Sequence, residues 1–344
     1  MSLVAFYTDP LFVAHETGTG HVERPARLGA VAEAASRRDV SPHLLPVPCP
    51  PASLDDVAVV HERGYLEAVA HLCEEGGGHL DLDTVVSEVS FEAALLATGA
   101  GLDAVARIDA GEAATAFVAG RPPGHHARPA EAMGFCIVNH VAVVAFHLAR
   151  RGQRVAVVDW DVHHGNGTQE MFWRDPRVLY LSIHQFPFYP GTGRHDDVGA
   201  DAGLGATVNV PLRTGSGPPD YQHAWERVVL PALEAFVPEW ILVSCGFDAH
   251  RDDLLGSMRL DAAAYGAMAT DLRATALPLI AFLEGGYDLD AITESSAAVV
   301  LALAGARHGA WSAGQASPST MAIVDAVLYA HGGGFSGGSL SGHR

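Results

Sequence analysis

No lysine occurs in this 344-residue chain; its 21 basic residues are all arginine, set against 40 Asp and Glu. The resulting net charge of −19 repels phosphate backbones, so direct nucleic-acid binding is not expected, whereas cationic partners are favoured. An acidic surface also serves solubility, which by itself would account for the bias. Cysteine is scarce. The four, at positions 49, 73, 136 and 245, include no close pair. That spacing excludes a CxxC zinc site and argues against a disulfide framework in a chain of this size. No apolar run approaches membrane-spanning length. The first residues lack the basic region of a secretion signal and reach Asp9 too early. The expectation is a soluble, cytoplasmic protein with reduced thiols and no membrane partner.

Apolar residues, by contrast, are plentiful. With 49% hydrophobic and 18% charged residues, the chain has material for a large core, and disorder is excluded as its main state. Short apolar runs at 3–7, 115–119, 154–159, 178–183, 207–210, 240–244 and 277–283 read as strands. Longer amphipathic stretches at 25–37, 55–73, 90–108, 137–150, 220–236, 261–274 and 290–303 read as helices. This alternation predicts an α/β fold, an open and mainly parallel sheet with helices on both faces. From 154 onward the strands are almost wholly apolar, as strands covered on both sides must be. No Pro- or Ser-rich linker divides the chain. A single domain is therefore expected over 1–330, followed by a Gly/Ser-rich flexible tail at 331–344.

Polar residues gather where these strands end. The clearest case is Val155-Ala-Val-Val-Asp-Trp-Asp-Val-His-His-Gly-Asn-Gly-Thr168. Side chains at spacing two share a face of an extended chain, so Asp159, Asp161 and His163 point one way at a carboxyl strand end, where open α/β sheets build their sites. About 13 Å of extended chain separates 159 from 163, too far for one cation to touch all three. Asp161 and His163 can converge on a metal, and the deeper Asp159 suits a supporting hydrogen bond. A second segment, Gly120-Arg-Pro-Pro-Gly-His-His-Ala127, presents two adjacent histidines after a turn. Such neighbours usually diverge, which suits acid–base work better than a shared metal. In Val243-Ser-Cys-Gly-Phe-Asp-Ala-His250, Asp248 reads either as a helix N-cap or as a third metal ligand leaving an open fourth position. In Ala281-Phe-Leu-Glu-Gly-Gly-Tyr287, the glycines let the chain bend and bring the Tyr287 phenol over the sheet edge. There it could donate to a developing oxyanion or stand as a core aromatic with a wet hydroxyl.

Taken together and in order, these segments resemble the zinc-dependent histone deacetylases and bacterial deacetylase-like amidohydrolases, most strongly the class II type, over roughly residues 3 to 305. The resemblance implies an arginase–deacetylase-like fold and one Zn²⁺ per chain on Asp161, His163 and Asp248, with Fe²⁺ as the alternative metal. It implies His126 as proton shuttle with Asn166 as its partner, and His125 as an orienting charge paired with Asp159. Where some relatives carry Asp, Asn166 should leave His126 less basic. Tyr287 would polarise the acetyl carbonyl, the metal would activate water, and acetate and a free amine would leave. Gly134, Phe135, Tyr189 and Gly286 would line an acyl-lysine tunnel. Tyr189 stands where the family usually has Phe, and Leu255 where polyamine-selective relatives can place an acidic gate. Arg24 resembles an arginine near the acetate exit. A structural K⁺ is implied at the Asp159 side chain with the backbone of Asp161, His163 and Ser182.

The implied substrate is an acetylated lysine peptide or protein, with a small acetylated amine such as an acetylpolyamine as the alternative. The short interval from Leu80 to Phe91 leaves little room for an entrance-narrowing insertion. Arginase-like chemistry would need further acidic ligands in place of the paired histidines. A non-catalytic acyl-lysine reader would have no need of His125, His126 and Tyr287 together.

Overall fold

The computed structural model describes residues 3–306 and 309–335. Ten strands are labelled in chain order: β1 (Val4–Tyr7), β2 (Leu44–Val47), β3 (Gly78–His79), β4 (Val85–Val86), β5 (Thr115–Val118), β6 (Val155–Asp159), β7 (Val178–Gln185), β8 (Thr207–Leu212), β9 (Trp240–Cys245) and β10 (Leu279–Leu283). Eight of them form one sheet in the order β2-β1-β5-β10-β9-β6-β7-β8, with every neighbouring pair parallel. The strands β5, β6, β9 and β10 are buried along their whole length. That burial explains their unbroken apolar sequences, because a parallel sheet has helices on its faces. Helices Ala26–Ser36, Ala262–Ala274 and Leu289–Leu303 pack together as one group, and Ser90–Asp109 with His140–Arg150 as another.

Three local readings change. The stretch 55–73 is not one helix but two, Leu54–Val57 and Arg63–Glu74. A capping box of Ser53 and Asp56 starts the first. Between them His61 is buried, its Nδ1 2.9 Å from the Arg128 carbonyl and its Nε2 accepting from the Asn139 amide at 3.0 Å. Tertiary contacts thus override the helical pattern at that point. The expected helix at 220–236 carries a π-helical turn, Trp225–Val229, just before Pro231, which has no amide to donate. Strand β2, Leu-Leu-Pro-Val, was not expected. Its proline is tolerated because the strand lies at the sheet edge. Of the tail expected at 331–344, residues 336–344 lie outside the described residues, while His331 still packs against Phe335 with ring centroids 5.0 Å apart.

The order of strands is what positions the chemistry. β5, β10, β9 and β6 are contiguous at the centre of the sheet, and all run the same way. Their carboxyl ends therefore bring the four polar segments to one place.

Candidate active site

Asp161, His163 and Asp248 converge just beyond β6 and β9. Each is buried, and their ligand atoms lie within 4.8 Å of one another. Backbone amides fix both carboxylates: Gly285 donates to Asp161 Oδ2 at 2.8 Å, His163 to Asp161 Oδ1 at 2.9 Å, and Val162 to Asp248 Oδ1 at 2.8 Å. Asp248 is thus tied to the neighbouring strand end and caps no helix. His163 Nδ1 stands 3.1 Å from both Asp161 Oδ1 and Asp248 Oδ2. Two glycines make room. A Cβ on Gly246 would lie 2.1 Å from Asp161 Oδ2, and one on Gly285 2.1 Å from Asp248 Oδ2.

Two carboxylates in a buried pocket require positive charge between them. Burial disfavours the His163 imidazolium, but hydrogen bonds and charge from Asp161 and Asp248 outweigh it and lift the ring to about 10. Burial and the charge of Asp161 lift Asp248 to about 7. A divalent cation would meet the same demand with a neutral imidazole, and two carboxylates with one histidine are a donor set that suits zinc or iron. The residues fit a metal.

The paired histidines do not diverge. Their ring centroids are 4.0 Å apart, because both rings are anchored to one strand-to-helix segment. His125 Nδ1 stands 3.0 Å from Asp159 Oδ2, and His126 Nδ1 stands 2.8 Å from Asn166 Oδ1. Tyr180 donates to the same Asp159 oxygen at 3.1 Å, and Ser182 is the residue opposite Asp159 in the sheet. Their surroundings drive the two rings apart in charge. Burial works against protonating His125, yet the carboxylates of Asp159, Asp161 and Glu284 raise it well above the ordinary histidine value. For His126, burial and the charges of His125 and His163 push it well below. The turn that carries both rings is clamped by Glu284, which accepts from the amides of Gly124 at 2.7 Å and His125 at 3.1 Å.

Above these groups lies a cavity of about 430 Å³, lined by His125, His126, His163, Gly134, Phe135 and Tyr189 among others. Leu255, Gly285, Tyr287, Phe188 and Asp83 also line it. Phe135 meets Tyr287 edge to face at 6.0 Å, and Tyr189 meets His126 likewise at 5.3 Å. Phe188 stacks on His163 at 5.1 Å. Gly134 has a φ of 57°, and a Cβ there would lie 2.4 Å from the His126 ring, so only glycine fits. A larger, open groove of about 1040 Å³ lies beside Asn166, but its arginines are occupied, Arg128 by Glu170 and Arg177 by Asp175.

Two expected residues are displaced. Gly286 turns its carbonyl away to accept from Arg27 Nε at 2.6 Å, and Gly285 borders the cavity instead. Arg24 is exposed and does not reach the interior. The buried arginine is Arg27. Its guanidinium donates to Glu284 O and Glu23 and lies 5.2 Å from the Tyr287 ring centroid. Glu23 also binds the buried Arg121 through both carboxylate oxygens. Arg24 precedes the Pro25 N-cap and lies outside the helix, whereas Arg27 is in its first turn. Arg27 sits next to Leu28 on the buried face of Ala26–Ser36. Sequence alone assigns no role to Glu284 or Phe188, although both lie inside segments rich in site residues.

A model of the histone deacetylase domain matches residues 21–303. The chain belongs to the histone deacetylase family. Among its relatives, this deacetylase-family chain is 40% identical to the histone deacetylase-like amidohydrolase of Pseudomonas aeruginosa over 330 residues, covering 88% of this chain and 86% of that one. It is 36% identical to a probable deacetylase of Archaeoglobus fulgidus over 305 residues, 86% of this chain and 84% of that one. The crystal structure of the HDA15 HD domain superposes on it with a TM-score of 0.89 at 37% identity, covering 96% of this chain and 94% of that one. The fold is therefore the arginase–deacetylase type, and family membership makes the protein a deacetylase-like hydrolase.

Proposed function

We propose that this chain is a zinc-dependent deacetylase that hydrolyses the acetyl amide of acetyl-lysine side chains. One observation carries the reading. Asp161, His163 and Asp248 converge at the floor of a narrow cavity that also presents the His125–His126 pair and Tyr287. Zn²⁺ held by those three residues would supply Lewis acidity toward water and the amide carbonyl. The chain's own groups do the rest. Because His126 Nδ1 faces the Asn166 carbonyl oxygen, the proton sits on Nδ1 and Nε2 is free to accept. A ring held neutral at working pH can take a proton from water and later return it to the departing amine. His125, kept positive beside Asp159, supplies a fixed charge. Tyr287, whose ionisation burial strongly opposes, keeps its proton and donates it as a hydrogen bond to the oxygen that gains charge. Acetate and amine then leave. Asp159 with the neighbouring backbone remains the proposed place for K⁺.

Phe135 and Tyr189 offer flat faces to an alkyl stem, and Leu255 offers no charge to a secondary ammonium. An acetyl-lysine side chain has already lost its charge, so it enters without the desolvation cost an ammonium would meet. The Asp83 carboxylate borders the same cavity and favours the second reading, an acetylpolyamine. A turnover panel of acetyl-lysine peptide, acetylputrescine and acetylspermidine at about 0.15 M salt decides between them. A higher kcat/KM is expected for the peptide. A clear preference for acetylspermidine that Asp83→Asn abolishes would establish the polyamine reading, and no turnover of any substrate by zinc-loaded protein would overturn both.

A further inference from the structure

Among the described residues, a second set of ligand-type side chains converges next to the first. His125, Cys136 and Glu284 are buried, and each brings one ligand atom to within 4.8 Å of the others. They come from three parts of the fold: the turn after β5, the loop before helix His140–Arg150, and the residue that follows β10. Glu284 uses its carboxylate unevenly. Oε2 takes both backbone amides of the histidine turn, while Oε1 is buried with no hydrogen-bond partner. A desolvated carboxylate oxygen without a donor is costly and calls for positive charge. The Cys136 thiol donates weakly to the Gly134 carbonyl at 3.4 Å, and the backbone amides of His126 and Ala127 face its sulfur, an arrangement that favours a thiolate.

We propose that His125, Cys136 and Glu284 form a second metal site, selective for a thiophilic divalent cation such as Zn²⁺ or Cd²⁺. Sulfur, imidazole and carboxylate together are a zinc-type donor set. The ligand atoms must draw in by about an ångström to reach metal bonds of roughly 2.0–2.3 Å. On binding, the Cys136 thiol and the His125 imidazolium each release a proton to solvent, and the sulfur and Nε2 electron pairs so freed bond the cation with no change of oxidation state, while His125 Nδ1 keeps its hydrogen bond to Asp159. Thiolate and carboxylate then balance the two positive charges. Since the site shares His125, filling it removes that ring from the hydrolytic machinery and inhibits. This last consequence rests on the role proposed above for His125; the site itself does not.

Cobalt separates the two sites, because only the second contains sulfur. Metal-stripped protein titrated with Co²⁺ should show no sulfur-to-cobalt charge-transfer band in the near ultraviolet for its first equivalent, and then gain one as more is added. The band should vanish in Cys136→Ser, weaken in Glu284→Gln, and persist in Asp248→Ala and in Cys49→Ser, Cys73→Ser and Cys245→Ser. Absence of the band in wild type at large Co²⁺ excess, or its survival in a Cys136→Ser protein with a native circular dichroism spectrum, overturns the site. Excess Zn²⁺ should inhibit wild type at least tenfold more tightly than Cys136→Ser. A band without inhibition leaves the site standing and removes His125 from the mechanism.

Discussion

The backbone amide of Tyr287 donates to Asp253 Oδ2 at 2.7 Å, while Asp253 Oδ1 accepts from the amides of Leu255 at 2.9 Å and Gly256 at 3.2 Å. One carboxylate thus ties the loop bearing the phenol to the loop bearing the apolar wall. Asp253 does not line the cavity, and its proposed part is to place Tyr287. In Asp253→Asn one of its acceptor positions becomes a donor that faces an amide. The expected result is a fall in kcat of about 10- to 100-fold, since displacement by about an ångström can cost that much. KM and metal content should change little. A proportionate rise in KM with unchanged kcat would show that the residue shapes binding instead.

Removing Asp248 should empty the metal site. Asp248→Ala deletes one of two carboxylates and leaves His163 beside a single negative charge. Most of the metal and most of the activity should be lost together. Elemental analysis of the purified variant checks this, and a full zinc complement would take Asp248 out of the ligand set.

His126→Ala and Tyr287→Phe should behave differently from Asp248→Ala. Neither side chain belongs to the converging trio, so metal content should hold. Turnover should fall about 10²–10⁴-fold for the loss of the proton shuttle, and substantially for the loss of the phenol. Either variant turning over like wild type under metal-replete conditions would end its assigned role.

Stability should fall with acid in a way that His140 makes visible. The ring is buried, with Nδ1 2.8 Å from the Thr98 hydroxyl and Nε2 3.0 Å from the Pro122 carbonyl. Burial depresses it to about 4. An unfolded histidine titrates near 6.5, so between those values the unfolded chain takes up a proton that the native state refuses. The stabilising contribution is complete above about pH 6.5 and is lost as pH falls toward 4, about 3 kcal/mol in all. His140→Gln should therefore be less stable than wild type at neutral pH, with the gap narrowing across that window. Reversible denaturant unfolding at several pH values measures it, and a pH-independent gap would contradict the assignment.

The sheet was legible because its strands are buried on both faces and announce themselves as apolar runs ending in glycine and charge. Asp159, Asp161 and His163 could be placed on one side of a strand end by period alone. Contacts between distant segments were not legible. Nothing local separates the exposed Arg24 from the buried Arg27 except the point at which the helix begins, after Pro25. Nor does sequence show that Glu284 clamps a turn 160 residues earlier, or that His61 would break a helical pattern to reach Arg128 and Asn139. The close approach of the His125 and His126 rings is hidden for the same reason. Their directions are set by Asp159 and Asn166, not by the turn itself.

β10 lies between β5 and β9, although it is the last strand of the sheet to be synthesised. Until it arrives, β2-β1-β5 and β9-β6-β7-β8 share no edge. A chain leaving the ribosome has made Asp161, His163 and Asp248 before it makes Gly285, whose amide fixes Asp161. The nascent carboxylates stay hydrated and unpositioned through most of translation, because long-range parallel pairing forms late. On the proposed ligand assignment, metal acquisition would wait until β10 and the Gly285 amide that follows it are in place.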